Sequence, residues 1–103
     1  MKTIDITLSS GEKRTVRLSG EFERFGERWG VHRTPLVDPN KTSKRWSVSH
    51  IGTGASITPS GGYSTRALAE AGAQAVLDIR GEEVMLRAIR TVYSTRQPVN
   101  QEK

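Results

Sequence analysis

The chain has 103 residues, of which 34% are hydrophobic and only six are aromatic, a size that fits one domain with a modest core. It has no cysteine, which excludes disulfides, thiolate metal sites and thiol nucleophiles. Its net charge of +5 lies almost wholly in residues 1–50, where ten Lys and Arg stand against six Asp and Glu, and such a field favours a polyanion or an acidic protein surface.

Ile4, Ile6 and Leu8 alternate with Thr3, Asp5 and Thr7, the period of a strand with one wet face. The same opening residues lack the apolar run of an export signal, so a cytoplasmic protein is expected. Residues 9–12 supply turn chemistry. A second run follows, with Val16, Leu18, Gly20 and Phe22 on one parity and charged or hydroxyl residues on the other. It predicts a long strand that bends near Gly20. Phe25 and Gly26 mark a tight turn, after which Trp29 and Val31 alternate with Arg28, Gly30 and His32 in a third strand that Pro35 ends. Residues 36–44 combine the turn signal Asp38-Pro39-Asn40 with Lys41 and Lys44 and show no periodicity, which predicts a mobile arm. Strand four covers residues 45–51, with Trp46, Val48 and His50 on one face and Arg45, Ser47 and Ser49 on the other. Gly52-Thr53-Gly54 then turns into a short fifth strand over 55–58. The uncharged stretch 46–65 is broken by these glycines and by Pro59, Gly61 and Gly62, so it is not a membrane span.

Ser64 is placed to cap a helix that runs to Arg80, and Tyr63 and Leu68 have the spacing of a hydrophobic staple. Leu68, Ala71, Gly72, Ala75, Val76 and Ile79 form its apolar stripe, whereas Leu77 falls off the stripe, toward the last helix or a partner. Gly81 suits the position after a C-cap, and a second helix over 82–95 turns Met85, Ala88, Ile89, Val92 and Tyr93 inward. Residues 97–103 read as a flexible tail.

These elements compose an α+β fold, an antiparallel meander of four to five strands with two C-terminal helices packed on one face, in a single domain of residues 1–96. The inner face is expected to carry Ile4, Ile6, Leu8, Val16, Leu18, Phe22, Trp29, Val31, Trp46 and Val48. The open face is expected to carry Arg17, Arg28, His32, Thr34, Arg45, Ser47 and Ser49.

Between Arg24 and Trp46 six cations (Arg24, Arg28, Arg33, Lys41, Lys44, Arg45) meet two acids, Glu27 and Asp38. Arginines with hydroxyls between them are donors suited to phosphate oxygens. The expected function is therefore that of a small, non-enzymatic basic binding protein that engages nucleic acid or a nucleoprotein complex, as a monomer or a homodimer. Its anion-binding residues would be Arg17, Arg28, His32, Arg33, Lys41, Lys44, Arg45 and Ser47, with Arg66 at a helix N-terminus. Ser60-Gly61-Gly62 leads into that helix but lacks the Gly-Lys-Ser/Thr of a Walker A loop.

A second reading is a phage- or plasmid-type accessory protein, such as an inhibitor of a host defence complex. It would act by protein–protein contact through Leu77, Arg87 and Arg90 against an acidic surface. A third is a metal-independent RNase, for which His32-Arg33-Thr34 looks like one half of a two-histidine phosphoesterase signature. The other half fails, because Ile51-Gly52 follows His50, and strand parity sends the two histidines to opposite faces. No cofactor is expected. No metal is expected either, since two separated histidines without clustered carboxylates make poor ligands.

Overall fold

The structure is a computed structural model that describes residues 2–8, 12–36, 43–59 and 61–95. Four antiparallel strands, β1 (Thr3–Thr7), β2 (Lys13–Arg24), β3 (Glu27–Arg33) and β4 (Trp46–His50), pair in chain order. One helical element, α1 (Arg66–Thr95), then packs over β3 and β4. The expected α+β meander is present. The expected tail, and the part of the expected arm that holds Lys41, lie outside the described residues.

Residues 55–58, expected as a fifth strand, make a single bridge between Ser49 and Ser56. Two backbone bonds, His50 N–H to the Ala55 carbonyl at 2.9 Å and Ile57 N–H to the Val48 carbonyl at 3.0 Å, join this segment to β4, and side chains extend the pairing: the Thr58 hydroxyl accepts the Val48 N–H at 3.1 Å, and Ser56 Oγ accepts the Thr58 N–H at 3.3 Å. The β2–β3 turn is tight, as expected, with Phe25 and Gly26 both left-handed at φ 60° and 73°. Phe25 is an unusual occupant of that conformation. Its ring packs against the core, with the Arg24 guanidinium 4.9 Å from the ring centre.

β2 belongs to two pairings, and one residue decides how they differ. Leu18 pairs with His32, but the next pair is Gly20 with Val31, so Ser19 is surplus. A single surplus residue exchanges the faces of everything beyond it. Phe22 therefore sits opposite Trp29 on the helix side, whereas Leu18 shares the other side with Ile4, Ile6 and Ile51.

The result is two cores in place of the expected one. Trp29, Val31 and Val48 meet Ala69, Ala73, Leu77, Met85 and Ile89 beneath α1. Ile4, Ile6 and Ile51, with Leu8, Val16 and Leu18 around them, pack on the opposite side of β3. The β1–β2 hairpin crosses there over Gly30, where a Cβ would overlap Leu18 and lie 3.5 Å from Ile4. The Thr7 N–H reaches the Gly54 carbonyl at 2.9 Å and ties the edge of β1 to the turn after β4. His32, Thr34, Ser47 and Ser49, expected on an open face, are buried by this fold-over.

In α1 the Thr65 hydroxyl accepts the Leu68 N–H at 3.1 Å, so the N-cap is Thr65 and not Ser64. Tyr63 lies against Gly72, so the expected staple with Leu68 does not form. Where two helices are expected, one element runs through and is broken only in its backbone angles, at Gly81 (φ 80°, ψ 163°). Its buried row is Ala69, Ala73, Leu77, Met85 and Ile89, one residue away from the stripe expected from Leu68, Val76 and Ile79. Leu68 and Ile79 are exposed, as is Ala88.

Positions four apart drift around a straight helix by about 40° per step. Gly81 stands in that same row, and its kink redirects the axis so that Met85 and Ile89 return to the sheet. Alanines at 69 and 73 let the first half approach the strands closely. Leu77 is 0% exposed and fills the centre of this core, which leaves nothing of it for a partner.

Candidate anion-binding groove and the cleft beside it

The first half of β2 and the ends of β3 and β4 border a groove of ≈ 560 Å³. Arg14, Arg17 and Arg33 line it together with Ser19, Ser43 and Trp46, and no acidic residue is among its described lining. The three arginines reach it for different reasons. Arg17 stands on β2 opposite Thr3 and is exposed. Arg33 ends β3 directly opposite Trp46, and its guanidinium lies 4.1 Å from the centre of that ring while donating to the Ser43 carbonyl at 3.2 Å. Arg14 donates to the Leu36 carbonyl and, at 3.2 Å, to Glu12, so it braces the wall more than it offers free charge.

Arg66 completes the setting. Its guanidinium is 5.6 Å from the centre of the same Trp46 ring and donates to the Ser19 carbonyl at 3.4 Å. Stacking of this kind holds a guanidinium plane in place and leaves its N–H edge free to meet an oxyanion. Trp46 is thus covered by cations, whereas Trp29 is fully buried with its indole N–H on the Arg24 carbonyl at 3.1 Å.

The other expected anion-binding residues separate. Arg28, at the opposite end of β3, is paired with Glu21, which also accepts from Lys2 at 3.1 Å. Burial pushes the Glu21 carboxyl up, but the bonds and charges of Arg28 and Lys2 outweigh it and hold the group below its ordinary value. Arg45 donates to the carbonyls of Gly61 at 2.6 Å and Gly62 at 2.8 Å, clamping the approach to α1. Lys44 is exposed nearby in sequence. Arg87 and Arg90 lie on the exposed side of α1 beyond the kink, with Arg87 donating to Glu83 at 3.1 Å.

His32 and Ser47 line a second concavity of ≈ 530 Å³, which shares Arg14, Thr34, Pro35 and Leu36 with the groove. Its polar wall is well bonded. The Arg33 carbonyl lies 2.8 Å from His32 Nδ1 and must receive its proton, so Nε2 accepts from the Ser49 hydroxyl at 2.8 Å. Burial pushes the imidazole below its ordinary value, against the smaller opposing effect of that carbonyl. The Thr34 and Ser47 hydroxyls bond each other at 2.6 Å.

His50 faces the other side of the sheet. It packs edge-on against Trp29 with ring centres 4.9 Å apart, places Nε2 2.6 Å from Glu27, and accepts the Thr53 N–H on Nδ1 at 3.1 Å. The two histidines share no site. Among the described residues no group of three or more His, Asp or Glu is placed to hold a metal ion, and no helix is long and apolar enough to cross a membrane.

Arg14, Ser19 and Ser43 are groove residues that the sequence pattern did not single out. Arg14 and Arg17 have opposite strand parity, yet both border the groove. Compared with known proteins, the chain matches no family model, no curated protein and no solved structure.

Proposed function

We propose that this chain is a binding domain for nucleic acid, which it grips by phosphate oxygens in the groove between Arg17 and Arg33. One observation supports this above the rest: three arginines line a single concavity whose described walls hold no carboxylate. Arg17 and Arg33 carry the contact, Arg66 and Lys44 flank it, and Arg14 fixes the wall. Arg28 and Arg45, each engaged elsewhere, stand outside it. Backbone contacts of this type confer affinity without reading sequence.

The test is a salt titration of binding to a labelled duplex. With three or four contacts, log affinity should fall with log salt at a slope of about −3 to −4. Arg17→Ala and Arg33→Ala should each weaken binding and make the slope shallower by about one, whereas Arg28→Ala should leave both unchanged. A salt-independent affinity would overturn the proposal.

A second reading, contact with a partner protein, draws on the exposed Leu68, Ile79 and Val84 of α1. It requires that one host complex stay bound to the tagged chain after nuclease treatment.

A further inference from the structure

We propose that the cleft beside the groove receives one unstacked base of single-stranded nucleic acid, with the flanking phosphate held by Arg17 and Arg33. This rests on the groove being the phosphate site. The two concavities have Arg14, Thr34, Pro35 and Leu36 as a common wall, so a strand lying in one passes the mouth of the other. At ≈ 530 Å³ the cleft falls in the range of pockets that enclose small organic molecules.

Its lining fits a flat heterocycle. Ile6, Leu8, Leu36 and the rings of Pro35 and Pro59 offer apolar contact to the faces of a base. Thr34 and Ser47 offer polar contact to its edge. The bond between their hydroxyls uses one O–H and one lone pair, leaving one donor and several acceptor sites. The Ser49 hydroxyl, whose proton points to His32, adds acceptor capacity only. Thr7 also borders the cleft, and its buried hydroxyl oxygen has no hydrogen-bond partner, a condition that native proteins rarely leave unanswered.

The two tryptophans offer no alternative stacking platform. Sequence-tolerant single-strand binders stack bases on exposed rings. Here Trp29 is buried and Trp46 lies under Arg33 and Arg66, so neither ring is free for stacking. A base in a duplex cannot enter the cleft, because its edges are paired and its faces stacked; a splayed base of a single strand can.

The experiment compares a single strand, as RNA and as DNA, with the matching duplex at one salt concentration, and places a fluorescent purine analogue in the strand. Single strands should bind more tightly than duplex, and the analogue should brighten on binding as it leaves its neighbours. The sugar with the larger response identifies the source of the base. The double variant Thr34→Val, Ser47→Ala removes both partners of one hydrogen bond and so is expected to fold. It should lower single-strand affinity by about tenfold and abolish the brightening.

Equal affinity for single strand and duplex, with an unchanged analogue signal on the parent protein, would overturn the inference and leave the salt-dependent groove standing. Absence of salt-dependent binding to any nucleic acid would overturn both.

Discussion

Thr7 donates its backbone N–H to the carbonyl of Gly54 at 2.9 Å, joining the first strand to the turn beyond the last. Gly54 is left-handed at φ 72°, and a Cβ there would lie 2.9 Å from the Asp5 carbonyl oxygen and 3.1 Å from Ile6 Cα. Gly54→Ala should therefore destabilise the protein by about 2 kcal/mol or more, from backbone strain and from the forced retreat of β1. Denaturant midpoints give the size of the loss. Faster amide exchange at Thr7 would place it at this closure.

Leu77 and Ile79 are two residues apart and have opposite fates. Leu77→Ala should cost about 2–5 kcal/mol, because it empties the centre of the core beneath α1. Ile79 is 85% exposed, and Ile79→Ala should stay within about 0.5 kcal/mol of the parent. Thermal or denaturant unfolding of the pair checks which row of the helix faces the sheet.

Gly30 marks the crossing of the β1–β2 hairpin over β3. Gly30→Ala overpacks the site against Leu18 Cδ2, the far end of a side chain that can shift, so a loss of about 1–3 kcal/mol is expected. Leu18→Val beside it should recover part of that loss. A double-mutant cycle with no coupling would mean that the hairpin does not cross there.

Trp46 should report occupancy of the groove. Two guanidiniums lie over its ring, and an anion that draws on either will change its surroundings, whereas Trp29 is sealed in the core. Titration with nucleic acid should change the intrinsic emission of the parent protein, and Trp46→Phe should abolish the change. A response that survives in Trp46→Phe would move the binding surface elsewhere.

The His32 imidazole is buried and held below its ordinary value of 6.5. The unfolded chain therefore takes up this proton before the native protein does. The stability that depends on neutral His32 is complete above the unfolded value and is lost as pH falls from there toward the folded one. Thermal midpoints should drop as pH falls below about 6.5, and His32→Gln should flatten that part of the curve. NMR titration of the ring resonances should give a midpoint below that of an exposed histidine.

Much of this architecture is legible in local patterns. Alternation in residues 3–8, 15–23 and 28–33 marks the strands, Phe25-Gly26 marks their turn, and Gly81 marks the break in the helix, because each depends on neighbours in the chain. The surplus Ser19 is not legible. Gly20 suggests a bend, but only the pairing of Leu18 with His32 and Gly20 with Val31 shows that parity is exchanged. That one step sends Ile4, Ile6 and Leu18 to a second core and turns His32, Ser47 and Ser49 from expected surface into the wall of a cleft.

The helix face went astray for a related reason. Large residues at 68, 76 and 79 outweigh the alanines at 69 and 73 in any count of apolar bulk, whereas the sheet selects the side that can come closest. As for the groove, the sequence pattern offered Arg33 from the charge-dense window 24–46, Arg17 from strand parity and Arg66 from a helix N-terminus. It could not separate them from Arg28 and Arg45, whose partners come from elsewhere in the fold.

Because β2 supplies Leu18 to one core and Phe22 to the other, the two hydrophobic halves have a common spine. A protein with two interiors on one strand is therefore expected to come apart in one all-or-none step.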